Sequence, residues 1–144
     1  MTIAEIQNQI ISEFSDFDEW LDKYNYLIGL SRSLPLLDAC YKTDKYLISG
    51  CQSRVWLRAS LVGGKVRLTA DSDAIITRGI VNLLIRVFSD QTPRDILEAP
   101  VTFIDTIGLK EHLSPTRANG LSKMLEQITV YAVIFMNDKK PGSF

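Results

Sequence analysis

The chain has 144 residues, 46% of them hydrophobic, which is enough for the core of one domain and too short for two of ordinary size. Sixteen basic against seventeen acidic residues leave a net charge of -1, so the bulk attraction behind nonspecific nucleic-acid or anionic-membrane binding is missing and a protein or small-molecule partner is expected. The start, Met1 to Glu5, lacks the basic and apolar regions of a signal peptide, and no apolar run reaches the length of a membrane span, which points to the cytoplasm.

Thr2 followed three residues later by Glu5 reads as a capping box, and Ile3, Ile6, Ile10 and Phe14 then recur at helical spacing along one face. A second helix is predicted from near Asp16, with Glu19 three residues on, carrying Trp20, Tyr24, Leu27 and Ile28 on a core-facing stripe until Pro35 ends it. Cys40 closes the apolar run Leu36-Leu37-Asp38-Ala39-Cys40 and is expected to be a buried structural thiol. It and Cys51 are the chain's two cysteines, without paired metal-ligand spacing, so no metal site is expected.

After the turn-like Lys42-Thr43-Asp44-Lys45, Tyr46-Leu47-Ile48 reads as a short strand leading into Gly50-Cys51-Gln52-Ser53. Gly50 permits a sharp backbone turn, and Gln52 and Ser53 set polar groups beside the sulfur. Cys51 therefore reads as an exposed or conditionally exposed nucleophile, the alternative being a small buried hydrophobe.

From Arg54 to Val62 the residues alternate, with Val55, Leu57, Ala59 and Leu61 on one face, and Val66, Leu68 and Ala70 alternate after Gly63-Gly64. A two-residue hairpin loop would pair Leu61 with Val66, Ala59 with Leu68 and Leu57 with Ala70. The opposite face collects Arg54, Trp56, Arg58, Lys65, Arg67 and Thr69, and reads as a solvated sheet face or, alternatively, a docking surface.

Asp71, Ser72 and Asp73 are expected to cap a largely apolar, central helix from Ala74 to about Phe88. Thr92-Pro93 opens a short helix that Ala99-Pro100 breaks, Thr102 to Ile107 reads as one more helical turn stopped by Gly108, and Ser114-Pro115 opens the last long helix. Leu121, Met124, Leu125, Ile128, Ala132 and Phe135 form its inward stripe. The polar run from Asn137 reads as a frayed tail, giving a single domain over 1–136 and a flexible segment over 137–144. The expected fold class is α+β, a small antiparallel sheet covered on one side by helices.

No phosphate loop, paired-histidine metal motif or nucleophile-elbow serine is present. The sole histidine, His112, reads as a surface or capping residue, or as a base for Cys51 if the fold joins them. A peroxidase-like thiol would want a resolving cysteine, and Cys40 is poorly suited to that role. Arg117, in the first turn of the last helix, opposes the positive end of the helix dipole and is expected to reach a carboxylate or loop carbonyls, with Asp71-Ser72-Asp73 as its target.

The run Gly50-Cys51-Gln52-Ser53-Arg54-Val55-Trp56-Leu57 closely resembles the signature of the SufE/CsdE family, sulfur acceptors and activators of cysteine desulfurases. Leu34-Pro35, Asp71-Ser72-Asp73-Ala74, Thr92-Pro93 and Ile96-Leu97 lie at family positions, and Gly108-Leu109-Lys110-Glu111-His112-Leu113-Ser114-Pro115-Thr116-Arg117-Ala118-Asn119-Gly120-Leu121 resembles the second signature. The chain departs from the family pattern at Ser31 and Tyr46. The resemblance implies a SufE-like fold related to the IscU-like scaffold fold, with Cys51 as the catalytic thiol. It also implies a pyridoxal-phosphate-dependent cysteine desulfurase, SufS-like or CsdA-like, as sulfur donor, the cofactor belonging to that partner and none to this chain. A downstream iron-sulfur scaffold would receive the sulfur, and a homodimer is a further partner state to consider. The motifs and the adjoining strand face nominate Gly50, Gln52, Ser53, Arg54, Trp56, Arg58, Asp73, His112 and Arg117 as partner-binding or supporting residues. Two other classes stand beside this one: a noncatalytic adaptor in which Cys51 merely packs, and an iron-sulfur scaffold, which would want about four ligands.

Overall fold

The computed structural model describes residues 1–51, 53–137 and the backbone of 142–143. Helices α1 (Ile3–Ser15) and α2 (Trp20–Ser33) lead through a 3-10 turn (Ala39–Tyr41) to strands β1 (Val55–Val62) and β2 (Lys65–Ser72). Then follow α3 (Ile75–Phe88), α4 (Pro93–Glu98), α5 (Phe103–Thr106), α6 (Leu109–His112), α7 (Pro115–Asn137) and the two-residue β3 (Gly142–Ser143). The fold is α+β, with sheet order β2-β1-β3.

Gly63 and Gly64 both adopt positive φ, 59° and 77°, the conformation a two-residue hairpin turn requires and one that side chains disfavour. The register they impose pairs Leu61 with Val66, Ala59 with Leu68 and Leu57 with Ala70, as the alternation predicts. Each of these six residues is buried, and the inner face packs on Val81 and Leu84 of α3 and on Met124 and Ile128 of α7. Tyr46-Leu47-Ile48 contributes less than the strand expected: a single antiparallel bridge, Leu47 to Trp56. Two backbone bonds of 2.9 Å close it, from Ile48 N–H to the Val55 carbonyl and from Leu57 N–H to that of Tyr46. Farther along the same edge of β1, β3 pairs with Ser60 and Leu61. The expected tail is therefore helical at Asn137 and paired at Gly142–Ser143, and its other positions lie outside the described residues.

The outer sheet face is only partly the solvated surface expected. Near the hairpin turn Lys65 and Arg67 are exposed, but the end nearer Cys51 is covered by the segment around the 3-10 turn. The Arg58 guanidinium lies 4.3 Å from the centroid of the Tyr41 ring, and Lys42 Nζ 5.7 Å from that of Trp56. Asp71, opposite Trp56 in register, is only 2% exposed and pairs with Lys42 at 3.0 Å and Arg78 at 3.4 Å.

The Thr2–Glu5 capping box forms with reciprocal bonds of 3.0 and 3.1 Å. Asp16 ends α1 instead of starting α2, because the Ile10–Phe14 stripe carries the first helix to Ser15; α2 begins at Trp20. The expected cap of α3 is also displaced. Asp71 and Ser72 stay in β2, Ala74 occupies the cap position, and Asp73 accepts a bond from the Arg54 amide. Buried Gln7 joins α1 to the start of α5, donating to the Pro100 carbonyl at 2.9 Å and accepting from the Thr102 and Phe103 amides at 2.8 and 3.1 Å.

Helix α3 packs on α1, α2, α7 and β2, and its approach to α2 depends on Gly79. A Cβ there would stand 2.3 Å from the Leu27 carbonyl oxygen, a backbone atom that moves only if α2 moves. Gly79→Ala is expected to cost at least about 1–3 kcal/mol, the usual penalty of overpacking. Urea unfolding followed by circular dichroism would show a lower midpoint, whereas the same change at exposed Gly29, with nothing within 4 Å of its Cβ, would not lower it.

Candidate functional site

The Cys51 turn lies between the Leu47–Trp56 bridge and the start of β1. On one side the Leu47–Trp56 bridge ties its incoming chain to β1. On the other, Arg54 is bolted to the end of β2: its amide donates to Asp73 Oδ1 at 3.0 Å, and its carbonyl accepts from the Ser72 hydroxyl at 2.8 Å and the Asp73 amide at 3.2 Å. Gly50, at φ 86°, makes the turn itself and lays it along α7.

At the tip, Cys51 Sγ faces the backbone of Gly120, 3.8 Å from its carbonyl oxygen. A Cβ on residue 120 would stand 3.3 Å from the sulfur, so the bare helix backbone supplies the space the thiol occupies. Around the sulfur is a recess of about 20 Å3, with Val55, Met124, Thr77, Thr116 and Ser53 in its walls. That volume suits roughly one added atom the size of a water or a sulfur. Cys51 is half-buried, and burial pushes its thiol above the ordinary range, because removing water from around the sulfur disfavours the thiolate. The resting site thus stores a protonated sulfur, with no cation among the described residues drawing its pKa down.

Several nominated residues take other places. Arg117 lines the recess, but its exposed guanidinium has no carboxylate or carbonyl partner among the described residues, so the expected brace to Asp71-Ser72-Asp73 does not form. Its supposed targets are already engaged: Asp71 by Lys42 and Arg78, Asp73 by the Arg54 amide. His112 stacks on Trp20 with centroids 3.9 Å apart, sets Nδ1 3.2 Å from the Gly108 carbonyl, and accepts a bond from the Tyr24 hydroxyl at its own carbonyl. It does not line the recess and belongs to the surface, not to Cys51 as a base. Trp56 and Arg58 are half-buried on the outer sheet face, while Arg54 is exposed beside the turn; Gln52 lies outside the described residues.

Cys40 is exposed, not buried. Of the run that suggested burial, Leu37 alone is buried: Leu36 is 86% exposed, and Asp38 takes the Cys40 amide at 3.1 Å to start the 3-10 turn. Desolvation, with the Asp38 carboxylate beside it, pushes the Cys40 thiol up as well. The structure adds two residues that sequence reasoning passed over: Asn119, whose Nδ2 donates to the Gly50 carbonyl at 3.3 Å, and Lys123, whose stem packs on Gly50. Their spacing from Gly120, one residue before and three after, puts all three on adjoining parts of the helix surface, a signal that the helical period alone carries.

The raised Cys51 thiol has a measurable sign. The folded state keeps its proton to higher pH than the unfolded chain, so burial of the neutral thiol stabilises the fold below the unfolded pKa, and that contribution is lost as pH rises through the folded one. In a Cys40→Ser background, thiolate absorbance is expected to titrate above the ordinary thiol range in buffer and to return to it in urea. An unchanged midpoint on unfolding would show that the recess does not hold the thiol.

Comparison with known proteins shows the family of the chain and its fold. The family model for SufE, an Fe-S metabolism associated domain, matches residues 8–132. An uncharacterized SufE-like protein of Rhizobium meliloti is 37% identical, the match covering 84% of this chain and 90% of that protein. The solution structure of a hypothetical protein from Thermus thermophilus superposes with a TM-score of 0.76 at 22% identity, covering 92% of this chain and 97% of the other, a likeness of fold.

Proposed function

Because the chain belongs to the SufE family of Fe-S metabolism associated domains, we propose that Cys51 is its sulfur-accepting thiol, loaded from the persulfide of a pyridoxal-phosphate-dependent cysteine desulfurase. The observation that carries this reading is the position of Sγ against Gly120, in a recess with room for about one more atom. A persulfide adds one sulfur to a cysteine, and a terminal sulfur set there is screened from reductants and oxidants.

The chemistry is exchange at sulfur and is neutral in electrons. Cys51 loses its proton, and its thiolate attacks the terminal sulfur of the donor's persulfide; the donor S–S bond breaks as the Cys51 S–S bond forms. The departing donor thiolate accepts a proton, and the donor is free for another turnover, which is how acceptance stimulates it. Since burial favours the protonated thiol, presentation of Cys51 outside the recess is the activating event, and binding to the desulfurase supplies the energy for it. The pyridoxal cofactor stays with the donor. Passage to an iron-sulfur scaffold completes the route, in a cytosol whose reducing poise keeps both cysteines free.

Mass spectrometry after incubation with a cysteine desulfurase and cysteine tests the assignment. The parent and Cys40→Ser are expected to gain one sulfur at Cys51, and Cys51→Ser none. Equal loading of Cys51→Ser would reject Cys51 as acceptor and leave the adaptor reading in its place.

Arg54 is exposed immediately beside the turn and is a cation placed to meet the donor. Reversing it to Glu is expected to weaken association at low salt, with a smaller effect at high salt, where an exposed charge is already screened. Titration calorimetry at two ionic strengths would read this out, and affinity unchanged at both would remove Arg54 from the interface.

A further inference from the structure

The stems of the Cys51 turn and its tip are held by very different means. Backbone bonds and the Ser72–Asp73 clamp fix Ile48 and Arg54 to the sheet. The tip meets α7 through the weak contact from Cys51 Sγ to the Gly120 carbonyl, at 3.8 Å, and the bond from Asn119 Nδ2 to the Gly50 carbonyl, at 3.3 Å. The second is the stronger of the two, since an amide is a far better donor than a thiol. Asn119 is exposed and outside the core, so its carboxamide serves the turn and not the packing of α7.

We infer that Asn119 is a positioning residue for Cys51: its bond to the Gly50 carbonyl holds the turn on α7 and sets the fraction of time the thiol is withheld from a reactant. The two neighbouring residues complete the seat. Gly120 offers the sulfur bare backbone, and the Lys123 stem comes within 3.4 Å of the point where a Gly50 side chain would begin. Gly50 therefore rests directly on α7, with its carbonyl in reach of residue 119. Among the described residues the tip is tied by one side-chain bond of ordinary strength, which is suited to release: losing it should raise the exposed fraction roughly two- to tenfold, the range set by one net hydrogen bond.

The inference deepens the sulfur-acceptor reading, since an acceptor must both hide and present its thiol, but its test needs no sulfur donor. In a Cys40→Ser background, the rate at which iodoacetamide alkylates Cys51 would be compared for the parent, Asn119→Ala and Asn119→Leu, the last keeping similar bulk without a donor. Both variants are expected to react roughly two- to tenfold faster. Their thiolate midpoint should fall toward the ordinary thiol value while the urea unfolding midpoint stays put, a combination that general destabilisation would not produce. Parent-like rates in both variants would overturn the inference, as would a fast Ala variant beside a parent-like Leu variant, which would assign the effect to lost bulk. If the variants react faster but Cys51 takes no sulfur from a desulfurase, the role of Asn119 stands and the acceptor reading falls. Parent-like rates in variants of a chain that does take sulfur mean the opposite: the acceptor reading stands and the role of Asn119 falls.

Discussion

The register of β1 on β2 is the constraint on which the rest of the molecule depends. Side chains on a strand alternate with period two, so a slip of one residue would turn Val55, Leu57 and Ala59 out of the core and bring Trp56 and Arg58 in. The same register brings Arg54 to the Ser72–Asp73 end of β2, where its amide and carbonyl are satisfied, and so fixes where the Cys51 turn leaves the sheet. The Gly63–Gly64 turn at one end of the hairpin thereby determines the position of the reactive group at the other.

Asp71 ties a second layer to this frame. Burying a carboxylate costs several kcal/mol unless it is paired and hydrogen-bonded. Lys42, Arg78 and the Ser72 amide provide those partners, the Arg78 contact at 3.4 Å being an ion pair more than an aligned hydrogen bond. One of these partners comes from the segment before the Cys51 turn and another from α3. The result is that the approach to the turn lies against the outer face of the sheet, beside rings and cations already in contact with one another.

Against this firm frame the thiol is lightly held. Reactive cysteines in many proteins are activated by a nearby cation or a helix N-terminus, which lowers the thiol pKa. Cys51 is instead half-buried in a recess of mixed polarity against the first turns of α7, and burial pushes its thiol up. Under the proposed sulfur-acceptor reading, such a site would be quiet when closed and would gain nucleophilicity by leaving the recess, with the contacts between the turn and α7 as the point of control.

The amino-acid sequence by itself determined the parts governed by local rules. The Thr2–Glu5 box, the Gly63–Gly64 register, the Thr92-Pro93 and Ser114-Pro115 helix starts and the left-handed Gly50 each follow from short-range sterics, hydrogen bonding or period-two alternation, and each is as expected. The motif around Cys51 was nominated by its resemblance to the SufE signature, which consecutive residues carry, and not by a local physical rule. Where two rules compete, sequence alone did not choose: Asp16 suits the end of one helix as well as the start of the next, and Asp71-Ser72-Asp73 suits a strand end as well as a cap. Only the tertiary structure decided which side chains meet across long separations. It exposed Cys40, put His112 on Trp20, gave Asp71 to Lys42 and Arg78 in place of Arg117, and set Gly120 and Asn119 against a turn 69 residues earlier. Those pairings depend on how helices cross and where the sheet lies, and a residue's identity does not record which surface will be brought to it.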